Sequence, residues 1–270
     1  MEGKQPLKSL TIKPHEVLQR VRDHFLQFMG TRGPPEPEQR PWLKKELDHH
    51  KFTGSYSSLT LPFSRNDITT ALTDTKASTA PGKDGLSASL LKIAVKHAPK
   101  DETALLSLLT CISQAIYDSK GAHSVAKPIL VKPIYKSQGS KDLSNLRPIA
   151  LQNSLAKLPS KILATRLTDA LHRNGALHHA NEGFLRHKST GNAIGTILSA
   201  FEDAVQFNKP LFGASLDIAK AYDSIRWFTI KNGMDRINLP QEFQDYAMGK
   251  MVNTGSTMEI RTRYGLPRPL

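Results

Sequence analysis

The sequence predicts an α+β protein of helices with an antiparallel hairpin. Three observations lead there. Apolar residues recur at three- to four-residue spacing through most of the chain. Two extended stretches, Ile129-Leu130-Val131 and Arg147-Pro148-Ile149-Ala150-Leu151, flank a polar loop from Lys136 to Asn145. A short apolar run from Leu211 to Leu216 ends in Asp217. With 270 residues, 39% hydrophobic and 23% charged, the chain can bury one large or two small cores, which excludes wholesale disorder.

The elements follow in order. Val17, Val21, Phe25 and Phe28, with Arg20 and Asp23 between them, predict an amphipathic helix from Ile12 to Met29, ended by Gly30. The proline-rich stretch Gly33 to Pro41 reads as a linker, so residues 1–50 form an N-terminal helix and linker. Residues 51–210 form the next division and 211–270 the last. Ser64 caps a helix over Asn66 to Thr73, and Pro81-Gly82-Lys83-Asp84-Gly85 makes a tight loop. Helices are predicted over Ser87 to His97 and Glu102 to Tyr117, the second with Leu105, Leu108, Leu109, Ile112 and Ile116 on one face. Cys111 falls in that apolar pattern and is expected to be a buried, inert thiol; as the single cysteine it excludes an internal disulfide.

After the hairpin, a helix over Ser154 to Arg173 sets Leu155, Leu158, Ile162, Leu167 and Leu171 on one side and Lys157, Lys161 and Arg166 on the other. Pro159 is expected to kink it or to mark its true start. A helix from Thr190 to Phe207 leads into a strand over Leu211 to Leu216. Helices over Lys220 to Gly233 and Pro240 to Met251 and a strand over Met258 to Thr262 complete the reading.

The net charge is +13 and the pI about 9.8. The segment from Lys120 to Thr190 holds twelve Lys and Arg against three Asp and Glu. Such clustering suggests a polyanion, most simply nucleic acid; a solvated basic face accounts for the composition equally well. No apolar leader or membrane-length run occurs, so the expectation is a soluble intracellular chain, in nucleus or cytoplasm, with no membrane partner. The ten histidines show no zinc spacing, and His178-His179 reads as a loop.

A carboxylate at a strand's end commonly holds a divalent metal beside a phosphate chain. Taken alone, however, Asp217 reads more readily as a helix cap and Tyr222 as a core aromatic. A hairpin with Lys136 before its tip and Arg147 after it can close over a triphosphate. Spacing alone favours a solvated pair instead.

The surrounding residues change that balance. Pro133-Ile134-Tyr135-Lys136-Ser137-Gln138-Gly139 with Asn145-Leu146-Arg147-Pro148-Ile149-Ala150-Leu151 resembles the fingers hairpin of non-LTR (LINE-type) retrotransposon reverse transcriptases. Ala80-Pro81-Gly82-Lys83-Asp84-Gly85 resembles the family's upstream APGxDG loop. Glu182-Gly183-Phe184-Leu185-Arg186-His187-Lys188-Ser189-Thr190 resembles its GFRxGRST block, and Leu216-Asp217-Ile218-Ala219-Lys220-Ala221-Tyr222-Asp223 its LDxxKAFD block. These blocks stand in the family's order, and the resemblance covers Phe63 to Leu270.

The resemblance implies a right-hand polymerase architecture, with fingers over 51–210 and a partial palm over 211–270. It implies an RNA-directed DNA polymerase acting on an RNA template, a DNA primer and dNTPs. Asp217 is then the catalytic ligand of Mg2+, with the Ile218 carbonyl in one coordination shell. Lys136 and Arg147 grip the dNTP triphosphate. Ala219, Lys220 and Ala221 lie at the phosphates, and Tyr222 lies under the incoming sugar. Gly183 and Phe184 sit near the templating base, and Asp223 braces the helix. Lys157, Lys161 and Arg166 track the nucleic-acid backbone, although a plain solvated helix face is an equal reading for them.

The chain departs from the family at Leu185, where Arg is usual, at His187, where Gly is usual, and at Pro159. More consequentially, no Asp-Asp pair occurs anywhere in the sequence, and the Gly-rich block that precedes that pair in the family is absent. Two-metal phosphoryl transfer needs several carboxylates. The expectation is therefore an inactive fragment that ends before the second carboxylate motif. A non-catalytic module binding RNA or an RNA–DNA duplex is the alternative, and an open reading frame with no stable product is a third.

Overall fold

The computed structural model describes residues 13–30, 54–96, 104–121, 123–124, 129–136, 143–185, 188–218, 221–252 and 258–260. The expected linker Gly33 to Pro41 lies outside these residues. The fold is α+β. Its helices are α1 (Pro14–Gly30), α2 (Arg65–Thr73), α3 (Ala88–Lys96), α4 (Ala104–Asp118), α5 (Ser154–Arg173), α6 (Thr190–Gln206), α7 (Ala221–Ser224), α8 (Trp227–Arg236) and α9 (Gln241–Val252). Strands β1 (Ile129–Tyr135), β2 (Leu146–Gln152) and β3 (Met258–Ile260) form one sheet in the order β2-β1-β3. β1 and β2 pair antiparallel from Ile129↔Gln152 to Tyr135↔Leu146, while β3 runs parallel to β1 with Ile129 opposite Met258.

The chain divides into two compact units. One draws on Met1–Pro34, Pro62–Ile162 and Asp245–Leu270, the other on Pro35–Leu61 and Leu163–Gln244.

In the first unit, the inner face of the hairpin packs on α1. Val21 and Phe25 are buried against Val131 and Leu146, with Val17, Ile129 and Leu143 at the margin. α2 packs on α3 and α4. It starts with a capping box: the Asp67 N–H donates to Ser64 Oγ at 3.1 Å, and the Ser64 N–H donates back to Asp67 Oδ2 at 2.8 Å. That exchange satisfies two amides the helix cannot bond internally, worth about 1 kcal/mol.

The loop 80–85 docks on the junction of β2 and α5. Asp84 Oδ2 accepts from the Ser154 N–H at 2.7 Å, and the Asp84 N–H donates to Asn153 Oδ1 at 3.1 Å. The Ser154 hydroxyl donates to the Leu86 carbonyl. A carboxylate at a helix's first turn also meets the positive end of its dipole. A Cβ on Gly82 would stand 2.5 Å from the backbone nitrogen of Asn153 and the carbonyl of Gln152, so only glycine allows the approach. Gly85 adopts φ +66°, which closes the turn.

The buried stripe of α4 is Leu109, Ser113, Ile116 and Tyr117. Leu108, expected on the inner face, is exposed. Cys111 is exposed too, correcting the expectation of a buried thiol. It lies two residues from both Leu109 and Ser113, about 200° around a helix, on the opposite side. α5 begins at Ser154, ahead of Pro159, so the proline does not mark its start. Phe63, Tyr117 and Tyr246 form a row, with ring centroids 5.6 and 5.3 Å apart.

In the second unit, Tyr56, Leu59, Leu163, Ala170, Met234, Leu239 and Phe243 are buried. The Asn174 side chain donates to the Ser55 carbonyl at 3.0 Å. α6 buries none of its residues; Ile194, Ile197, Leu198 and Phe201 form an exposed apolar stripe at helical spacing. The expected strand over Leu211 to Leu216 is not formed. The segment belongs to no ladder, and Phe212 and Leu216 are 90% and 94% exposed. Gly213-Ala214-Ser215 at its centre offers little side-chain area to pack, and a strand exists only where a partner pairs with it. The helix expected over Lys220 to Gly233 is instead α7 and α8, broken at residues 225–226, and α8 runs through Gly233 to Arg236.

Candidate nucleotide and nucleic-acid site

The β1–β2 pairing decides which hairpin side chains share a face. Arg147 lies opposite Ile134, and Lys132 opposite Ile149. The Lys136 N–H donates to the Asn145 carbonyl at 2.9 Å, extending the pairing one residue beyond β1. Side chains alternate along a strand, so Lys132, Ile134 and Lys136 share one face with Arg147 and Ile149. Lys136 is the diagonal neighbour of Arg147, within reach of long side chains. All five residues are exposed. The expected pair is therefore joined by a third cation, Lys132, set among two exposed isoleucines. The sequence carried its signal, the alternation of Lys132, Ile134 and Lys136.

The cations of α5 turn onto the chain itself. Lys157 Nζ donates to the Ala80 carbonyl at 2.9 Å, and Lys161 Nζ to Thr75 Oγ1 at 3.0 Å. In the second unit, Arg166 donates to the carbonyls of Ser58 at 3.1 Å and Leu61. Burial pushes the Lys157 ammonium below the usual lysine range, and the Asp84 carboxylate only partly offsets this. All three residues are half-buried. They tie the helix to preceding loops and are not a fully solvated face.

In the second unit, the loop before α6 is strapped by Glu182, whose carboxylate accepts from Lys188 Nζ at 2.8 Å and Asn192 Nδ2 at 3.2 Å. The bond from Lys188 chiefly holds the Glu182 carboxyl below its usual range. The Gly183 N–H donates to Asn181 Oδ1 at 3.1 Å. Phe184 follows at φ +60° and is 94% exposed. The left-handed backbone of this loop's described part thus falls on an aromatic, a strained choice for a side chain buried nowhere.

Asp217 and Ile218 are exposed on the unpaired segment, and Tyr222 on α7 is 80% exposed, so it is not a core aromatic. α7 is described from Ala221 onward. Ala219 and Lys220 lie outside the described residues. Asp217 and Tyr222 belong to one unit with Gly183 and Phe184; Lys136 and Arg147 belong to the other. Among the described residues no cluster of three or more His, Cys, Asp or Glu could hold a metal ion. Asp217 with one backbone carbonyl is too small a donor set for a pair of magnesium ions, which are held by several carboxylates.

No family model matches the chain. Over 213 residues, 74% of the chain, it is 24% identical to the retrovirus-related Pol polyprotein from type-1 retrotransposable element R2 of Popillia japonica. The chain carries a retrotransposon-related domain. It is also 25% identical over 127 residues to the R2 Pol polyprotein of Nasonia vitripennis. The matches span 26% and 12% of those relatives' lengths, so the chain corresponds to a small part of each. Among the described residues no helix is long and apolar enough to cross a membrane.

Proposed function

We propose that this retrotransposon-related domain is the fingers and first part of the palm of an RNA-directed DNA polymerase, which binds an RNA template, a DNA primer and dNTPs. The observation that carries the reading is the hairpin register, which puts Lys136 and Arg147 on one exposed face. A guanidinium fork beside an ammonium suits a triphosphate. Lys132 extends the charge along the same face. Phe184 is an exposed aromatic on a strapped loop, suited to stacking on a template base. Asp217 supplies one ligand toward Mg2+, Ile218 its carbonyl, and Tyr222 an aromatic face for the sugar. Ala219, Lys220 and Ala221 lie at the phosphates.

The other carboxylates of a two-metal site are not among these 270 residues, since no Asp-Asp pair occurs. The chain alone therefore binds without polymerising. That lone carboxylate also favours the second reading, a non-catalytic module for RNA or an RNA–DNA duplex.

Anisotropy of a labelled RNA–DNA hybrid, titrated over a range of salt, tests the binding. The logarithm of affinity should fall linearly with log salt, and calorimetry with a dNTP should show triphosphate binding that Lys136→Ala/Arg147→Ala abolishes. A slope near zero in the unaltered chain refutes nucleic-acid binding. Primer extension with Mg2+ and dNTPs should be absent; extension that disappears in Asp217→Asn would show a complete active site.

A further inference from the structure

In the second unit, α6 presents an apolar face that the unit leaves uncovered. None of its 17 residues is buried. Ile194, Ile197, Leu198 and Phe201 are 55–56% exposed, and Val205 is 82% exposed. With 3.6 residues per turn these five fall within an arc of about 100°, one continuous stripe along the helix.

The stripe is large enough to dock a partner. A large side chain bares about 200 Å2 when fully exposed, so the five present on the order of 500–600 Å2. The largest apolar patch on a typical monomer is about 300–600 Å2 and is often functional. A standard interface takes about 800 Å2 from each partner, and the stripe supplies most of that. The apolar run that follows α6 adds Phe212 and Leu216, both almost fully exposed, to the apolar area of the same unit.

Two features select a second copy of the chain as the occupant. A helical stripe is self-complementary: turned about a two-fold axis, the same residues meet antiparallel and the pair closes. Charge favours that direction. Glu202 stands about 40° around the helix from Leu198, at the margin of the stripe in the C-terminal half of α6. The N-terminus of α6 has no side-chain cap, since the Ser189 hydroxyl is turned to Asn192 Oδ1 at 3.3 Å and not to a helix amide. That end carries the positive pole of the helix dipole. An antiparallel pair brings each Glu202 toward the N-terminal half of the other helix, whereas a parallel pair sets the two acidic C-terminal halves side by side. We propose that the chain forms a homodimer through α6, with two copies of the helix packed antiparallel over Ile194, Ile197, Leu198, Phe201 and Val205. Leu198 is the midpoint of Thr190–Gln206 and meets its own counterpart near the two-fold axis. The dimer does not rest on the proposed nucleic-acid function.

Sedimentation of the full chain, nuclease-treated and in high salt, should show a reversible step from monomer to dimer as concentration rises. Salt removes association bridged by nucleic acid and leaves apolar contact intact. Ile197→Glu and Phe201→Glu each place an unpaired charge in the interface and should raise the dimer dissociation constant about ten-fold or more. Both should keep the far-UV circular dichroism of the unaltered chain, because both positions are exposed in the monomer. Cross-linking reads the geometry. In a Cys111→Ser background, which removes the single exposed thiol, Leu198→Cys should form a covalent dimer under mild oxidation. Asp203→Cys, on the far side of the helix, should not. A chain that stays monomeric at every concentration would overturn the homodimer and leave the stripe to a different partner. A dimer that high salt dissolves, or that both glutamate variants retain, would overturn it too. Failure of Leu198→Cys to cross-link, or equal cross-linking at both positions, would overturn the antiparallel pairing.

Discussion

Replacing Lys250 by methionine should change how stability depends on pH. Lys250 Nζ donates to the Ala156 carbonyl at 2.7 Å and to Ser160 Oγ, and it lies 3.4 Å from the Tyr246 hydroxyl. Nearby, Lys120 pairs with Asp245 at 2.6 Å, so that carboxylate is already engaged. Burial pushes the Lys250 ammonium down to about 8 from 10.5. Below pH 8 both folded and unfolded chains carry the proton, and the folded chain bears the cost of desolvation. Between about pH 8 and the unfolded value near 10.4, the unfolded chain binds more protons, so stability rises with pH. The shift corresponds to about 3 kcal/mol, an upper bound because the residue as a whole is only half-buried.

Tyr246 works in the opposite sense. Burial pushes its phenol up to about 12, against the lowering effect of its bond with Ser160. Above pH 10 the unfolded phenol ionises while the folded one does not, and stability falls. The cluster should therefore be most stabilising near pH 10. Urea unfolding of the unaltered chain and of Lys250→Met at intervals from pH 7 to 10 reads the difference. The general relief of repulsion as other lysines titrate is common to both and cancels. At pH 7 the variant should be as stable as the unaltered chain or more so, since it buries no charge. The unaltered chain should then gain on it by up to about 3 kcal/mol toward pH 10. Parallel curves would refute the assignment of a desolvated ammonium.

Further predictions concern the clamp, the loop and the exposed thiol. Gly82→Ala forces a Cβ to 2.5 Å from backbone atoms and should cost about 3 kcal/mol or more in thermal or denaturant unfolding. Asp84→Ala removes the acceptor of the Ser154 N–H and should cost about 1–2 kcal/mol by the same measurement. Phe184→Gly relieves φ +60° and should stabilise the chain by about 1 kcal/mol while weakening RNA binding by about 1–3 kcal/mol; unchanged binding would exclude stacking on this ring. Cys111 should react with a thiol reagent in the native chain at nearly the rate seen in denaturant, and strong protection would contradict its exposure.

Where partners lie close in sequence, the reading from residues and the structure agree. α2 begins where Ser64 and Asp67 can exchange bonds across three residues, and α5 spans the expected Ser154 to Arg173. The hairpin needed only two extended stretches and a polar loop between them. Where the outcome depends on distant partners, the sequence was silent. Lys157, Lys161 and Arg166 read as a polar helix face, yet their acceptors lie 77 to 108 residues away. The apolar run before Asp217 reads as a strand, and among the described residues no pairing partner meets it.

The sequence by itself determined most of the helices, the Ser64 cap, the hairpin and the resemblance of the blocks at Ala80, Pro133, Glu182 and Leu216. Only the tertiary structure decided that Gly82 must be glycine, that Lys132 joins Lys136 and Arg147 on an open face, that Lys250 is desolvated, and that Asp217 stands on an unpaired segment. The physical reason is the range of the bonds concerned. A helix satisfies its own amides within four residues and needs little beyond its local residues. A strand, a buried ammonium and a glycine packed against a foreign backbone are each defined by chain that lies far away in sequence.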